Sequence, residues 1–175
     1  MTEDATSFIA SGFDVSMVYR PLDFEPADKF ILDYRSRHGG QPIPKQKSMR
    51  RILNALAQKD CVGILLDQTA KLKDGVVVDF FGYPVWTNKG MALLALKTQA
   101  PVLPTFLVRN GLDFEVQIGP EIQLVHTGRK EDDIRINTLR YNQALERIIR
   151  QYPEQWLWMH RRWKERGKKR KIISL

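Results

Sequence analysis

The chain predicts an α/β fold with a mixed, mostly parallel sheet flanked by helices. Three observations carry that reading. Amphipathic helical stretches alternate with short apolar runs along most of the sequence. The run Cys61-Val62-Gly63-Ile64-Leu65-Leu66 has no polar alternation, as expected of a strand buried on both faces. Only one late segment, Phe114 to Ile118, alternates like an antiparallel hairpin partner.

The elements follow in order. Thr2 to Gly12 suits a short helix, with Thr2 or Asp4 as cap and Gly12 as terminator. Val15 to Tyr19 is an apolar strand that delivers Arg20 at its carboxyl end, before Pro21 stops further pairing. Pro26 to His38 is helical, closed by Gly39-Gly40. Ser48 caps a helix with Met49, Ile52, Leu53 and Leu56 on one face. Asp67-Gln68 follow the Cys61 run directly, and a polar loop leads to a strand over Val76–Phe81 that Gly82 and Pro84 end. Thr87 or Asn88 opens a helix to about Gln99, and Pro101 to Val108 gives a further strand. Asp132 or Asp133 opens a long helix to Tyr152, with Ile134, Leu139, Leu145, Ile148 and Ile149 among its apolar positions. We expect one α/β domain over residues 1–160 and a basic tail over 161–175.

Charge is concentrated at one end. The chain is 175 residues long with a formal charge of +8, and Arg161–Lys171 alone contributes +7. Three of the four tryptophans, Trp156, Trp158 and Trp163, sit in or beside that run. Indole rings favour the border of hydrocarbon and water, and Lys/Arg favour anionic head groups, so an anionic surface is the indicated partner. The rival readings are a basic module docking on nucleic acid and a plain solvated tail. No stretch approaches the roughly 20 apolar residues of a transmembrane helix. Cys61, the single cysteine, is expected as a small buried hydrophobe rather than a redox group.

Candidate chemistry lies beyond the strand ends, where open α/β sheets gather ligands. Arg20 suits bidentate contact with phosphate or carboxylate, and Asp67 with Gln68 could orient or bind a polar group. His126 and His160 each have a glutamate five positions on, Glu131 and Glu165, but the pattern is short and common. His38 suits a helix C-terminus. No Cys/His metal spacing, nucleophile elbow or P-loop is present.

Six segments in order resemble the lipid A biosynthesis acyltransferase family, the late lauroyl and myristoyl transferases. They are Val18–Asp23, Tyr34–Gly39, Val62–Gln68, Val78–Pro84, Ala100–Pro104 and Pro153–Lys164, the last (PEQWLWMHRRWK) being the most specific. The resemblance implies a glycerolipid-acyltransferase-like fold. It implies transfer of an acyl chain from acyl carrier protein to a hydroxyl of a lipid A precursor, at the cytoplasmic face of the bacterial inner membrane. No metal or other cofactor is implied, and no nucleic acid. By motif position, Arg20 would meet phosphate or oxyanion, and Asp67 and Gln68 would line the acceptor site. Arg161, Arg162 and Lys164 would face head groups, with Trp156, Trp158 and Trp163 at interfacial depth. The family's N-terminal anchor and its catalytic His-x4-Asp/Glu motif have no match here. The expectation is therefore a base supplied upstream of Met1, a peripheral rather than spanning chain, and no transferase activity from these residues alone.

Overall fold

A computed structural model describes residues 15–36, 41–45 and 48–163. The helix expected over Thr2–Gly12, the terminator Gly39-Gly40 and the basic tail from Lys164 onward lie outside the described residues. The chain divides into two units. One holds the described residues up to Leu65 together with Lys97–Ile122. The other holds Leu66–Leu96 and the described residues from Gln123.

The first unit is built on a three-stranded parallel sheet. Strand β1 (Val15–Tyr19) leads through helix α1 (Glu25–Ser36) to β2 (Gln41–Pro44). Helix α2 (Ser48–Ala57) then returns the chain to β3 (Cys61–Gly63). Spatial order is β2-β1-β3, so the winding direction reverses at β1. The β2 strand escapes sequence reading because Pro42 and Pro44 look like breakers. Their shared parity explains why they are tolerated. Residues 41, 43 and 45 face β1, and Lys45 N–H donates to the Tyr19 carbonyl at 2.8 Å, while both prolines point to the open edge. Val15, Ile43, Ile52 and Ala55 are buried apolar side chains of this sheet and its helices, and Val108 is buried later in the same unit.

The Cys61 strand is shorter and less buried than expected. It stops at Gly63, Cys61 is exposed and Leu65 is 54% exposed. Gly63 pairs with Met17, and a Cβ at 63 would meet the Met17 sulfur, so this crossing admits only glycine without a shift. A hairpin, β6 (Thr105–Asn110) and β7 (Asp113–Ile118), completes the unit as the alternation of Phe114–Ile118 suggested. Its two-residue turn begins at Gly111, whose φ of 63° is readily adopted only without a Cβ. The strand expected from Pro101 begins only at Thr105, because Pro101 and Pro104 remove ladder donors.

The second unit packs an antiparallel hairpin on a long helix. Strands β4 (Gly75–Phe80) and β5 (Tyr83–Asn88) pair in full register, where the sequence suggested one strand and a stop. Pro84 lies opposite Asp79, one pair from the turn of a two-stranded ribbon, where a missing N–H costs little. The turn residues Phe81 and Gly82 both have positive φ, 53° and 78°. Phenylalanine there is unusual. Its amide donates to Glu146 at 2.7 Å and its ring lies 4.8 Å from the Arg150 guanidinium, contacts that hold the strained turn. Helix α3 (Gly90–Thr98) starts after Asn88, whose side chain accepts the Gly90 amide at 2.7 Å.

Helix α4 (Lys130–Gln151) turns two faces inward. One is polar. Asn137 bonds both the amide and the carbonyl of Val125 at 2.9 Å, and Arg140 reaches the Gln123 carbonyl at 2.6 Å. Asp133 accepts from the Thr127 amide and hydroxyl at 2.6 and 2.7 Å. The other face is apolar. Ile149 joins Phe80 and Val85 in a core cluster, with Leu145, Ile148, Trp156 and Trp163 packed against it.

Candidate functional site

Two arginines bracket the functional question, one in each unit. Arg20 leaves the carboxyl end of β1, the strand at which the sheet order reverses. Open α/β sheets place ligand crevices at such ends. The Arg20 side chain is 79% exposed and faces Asp23, also exposed, at 3.9 Å. An exposed pair of that length is weak, so the guanidinium is available to an anion.

Arg162 is the opposite case. It is fully buried. Its Nη1 donates to the carbonyls of Gln68 and Trp86, at 3.1 and 3.0 Å. Its Nη2 donates to the Thr87 hydroxyl at 2.9 Å and the Asn142 side-chain oxygen at 3.1 Å. The Phe80 ring lies 5.1 Å from its central carbon. Asn142 extends the network, donating to the Asp79 carbonyl at 3.0 Å and to Thr87 at 3.1 Å. Burial pushes the guanidinium down to about 10, against the opposing influence of the Asp67 carboxylate, so it stays charged at neutral pH. The reading of Arg162 as a head-group contact is therefore corrected. A guanidinium spent on four internal acceptors and sealed from solvent cannot meet a lipid phosphate.

Asp67 and Gln68 stand where this network meets the chain leaving the parallel sheet. The Gln68 side chain is exposed while its carbonyl is held by Arg162. Asp67 is half-buried, and its Oδ1 is a buried acceptor with no hydrogen-bond partner. The Nε of Arg162 is a buried donor in the same condition.

The tryptophan segment also divides. Pro153–Gln155 forms a short 3-10 turn after α4, and the following residues fold back onto the hairpin. Trp156 and Trp163 pack on Phe80, with ring centres 6.1 and 5.5 Å away, and Trp163 Nε1 donates to the Phe80 carbonyl at 3.3 Å. Both are core-facing rings, which corrects their assignment to an interfacial belt. Trp158 is the outer ring. It stacks on Trp163 at 6.3 Å and remains 52% exposed, flanked by Leu157 at 47% and Met159 at 90%. Arg161 is exposed, and Lys164 lies outside the described residues.

Two of the three histidines are described, and their settings differ. His126 is exposed on the loop before α4, and its neighbouring carboxylate, Asp133, is held below the usual carboxylate range by the Thr127 hydroxyl and amide. His160 is half-buried, and its Nδ1 is buried with no hydrogen-bond partner. His38 lies outside the described residues. Among the described residues no cluster of metal-ligating side chains occurs, and no helix is long and apolar enough to cross a membrane. Sequence reasoning missed Thr87 and Asn142. The available signal was the polar spacing Thr138-Asn142 on a helix otherwise read by its apolar positions.

Comparison with known proteins agrees with the motif order. Residues 7–165 match the family described as bacterial lipid A biosynthesis acyltransferase. A lipid A biosynthesis acyltransferase of Haemophilus influenzae is 26% identical over 160 residues, covering 89% of this chain and 48% of that protein. The lipid A biosynthesis palmitoleoyltransferase of Escherichia coli is 28% identical over 150 residues, covering 82% and 47%. The phosphatidylinositol mannoside acyltransferase of Mycobacterium tuberculosis is 26% identical over 136 residues, covering 76% and 42%. The chain spans about half the length of these curated relatives. With nine-tenths of its residues matching the family and its motifs in family order, the chain belongs to the bacterial lipid A biosynthesis acyltransferases.

Proposed function

We propose that this chain is the acceptor-side part of an enzyme that moves an acyl group from acyl carrier protein to a hydroxyl of a lipid A precursor. A general base takes the hydroxyl proton and the freed oxygen attacks the thioester carbonyl. The carbon–sulfur bond breaks, and the carrier thiolate recovers a proton. Arg20 meets a substrate phosphate or the developing oxyanion. Asp67 and the exposed Gln68 side chain line the acceptor. The base in this reading is a His-x4-Asp/Glu pair of the kind the family resemblance implies, for which neither His126 nor His160 substitutes, and these 175 residues are expected to be silent in transfer on their own. The single observation that carries this reading is an exposed, weakly paired arginine at the carboxyl end of the strand where sheet order reverses.

The test is acyl transfer from acyl carrier protein to a tetraacylated lipid A precursor. It is run on this chain alone and on the chain joined to an upstream His-x4-Glu segment of a relative. Activity in the joined form, lost in Arg20→Ala, is the expected result. Transfer by this chain alone, abolished by His126→Ala or His160→Ala, would overturn the assignment of the base. A phosphatidylinositol mannoside accepted in place of the precursor would move the acceptor to another glycolipid.

We further propose a peripheral seat on the cytoplasmic face of the inner membrane. Leu157, Trp158 and Met159 enter the headgroup boundary, and Arg161 with the basic run beyond it meets anionic lipid. Co-sedimentation with vesicles containing phosphatidylglycerol should fall on Trp158→Ser with Met159→Ser and fade with salt. Equal binding to neutral vesicles would remove the electrostatic half of the proposal.

A further inference from the structure

We infer that Arg162 is a positioning residue for the Asp67–Gln68 turn, holding the acceptor-side pair from inside the unit without touching the substrate. Three observations lead there. First, Arg162 has no exposed surface, so any effect it has on a ligand is transmitted through other residues. Second, of its four acceptors the Gln68 carbonyl is the one contributed by the turn itself, at 3.1 Å. The other three, Trp86, Thr87 and Asn142, belong to the hairpin and α4 and form the fixed side of the clamp. Third, the remaining open donor, Arg162 Nε, and the open acceptor, Asp67 Oδ1, are both buried and of opposite charge.

The Trp86 carbonyl receives the Ala70 amide at 2.9 Å as well as Nη1, so the turn meets this one oxygen of β5 both directly and through Arg162. A planar guanidinium suits this task because its nitrogens are fixed in one fork. A lysine in the same place could carry the charge but could not address opposed acceptors together.

This inference rests on the proposed acyltransfer only for the reaction the turn serves; the contact itself is tested with no substrate present. The 175-residue chain is 15N-labelled as wild type, Arg162→Lys and Asp67→Asn. The Arg162 Nε–H resonance is assigned through its own backbone, and amide exchange is followed by NMR. In Asp67→Asn the Nε–H resonance should shift. In Arg162→Lys the Ala70 amide should exchange about tenfold faster or more, the loss of one charge-assisted hydrogen bond, while Tyr141 within α4 keeps its protection. Equal loss at Ala70 and Tyr141 would make Arg162 a general stabiliser and overturn the inference, as would an unchanged Ala70. If Arg162→Lys does not fold, Asp67→Asn decides alone: a shifted Nε–H supports the clamp and an unmoved one refutes it. A failed transfer assay would leave these readouts intact, so the two proposals fail separately.

Discussion

Arg20 leaves the carboxyl end of β1 with most of its side chain in solvent, whereas Arg162 is sealed within its own unit. Both follow short apolar stretches and both fall in family motifs, so the linear sequence presents them as equals. Their environments assign them opposite work. A buried guanidinium pays a large desolvation cost and stays only if most of its donors are answered, which commits it to internal contacts. An exposed one keeps its solvation and its freedom to bind an incoming anion. The same contrast separates Trp163, packed on Phe80, from Trp158, which lies on Trp163 and faces outward.

The sharpest way to break this comparison is to remove each arginine. Arg162→Met removes four donated hydrogen bonds at once and leaves the Gln68 carbonyl without its donor. It should lower unfolding free energy by more than about 3 kcal/mol, read from the urea midpoint. Arg20→Met should change the same midpoint by no more than about 0.5 kcal/mol. Equal effects would erase the distinction. The tryptophans form the second test. Trp163→Ala should cost about 2–3 kcal/mol, less than a fully buried indole because the residue is only partly buried. Trp158→Ala should cost about 1 kcal/mol or less, and its loss should appear in vesicle binding instead.

A smaller effect concerns Asp133, whose carboxyl is lowered by the Thr127 hydroxyl, then by the Thr127 amide. A carboxyl lowered on folding contributes stability in full above its unfolded value of about 3.8, and that contribution is lost as pH falls through the lower folded value. Asp133→Asn should therefore be less stable than wild type at pH 7, with the gap closing as both are titrated toward strong acid. A gap that stays constant with pH would trace the loss to geometry rather than ionisation.

Much of the fold was legible because local chemistry repeats. Val15–Tyr19, the helix beginning at Ser48, the Phe114–Ile118 partner strand and the long helix to Gln151 all stand within a few residues of their expected places. The misses share a cause. Pro42, Pro44 and Pro84 argue against strands, and only the side of the ribbon they face decides whether a missing N–H matters. The Cys61 run failed differently. Continuous hydrophobicity implied a strand buried on both faces, yet pairing ends at Gly63 and the chain moves on to the second unit by Leu66.

The candidate residues divide the same way. Motif order alone pointed to Arg20, Asp67, Gln68 and the PEQWLWMHRRWK segment, and to the family they belong to. Periodicity and composition also placed the excess charge at one terminus. Only the tertiary structure decided which arginine faces inward and which tryptophans are core. Thr87 and Asn142 lie 55 residues apart, bond each other directly and share one guanidinium twenty residues further on. Their partnership depends on the hairpin and α4 closing over Arg162. Burial, and with it the cost or freedom of a charge, is a property of that closure and not of any local run of residues.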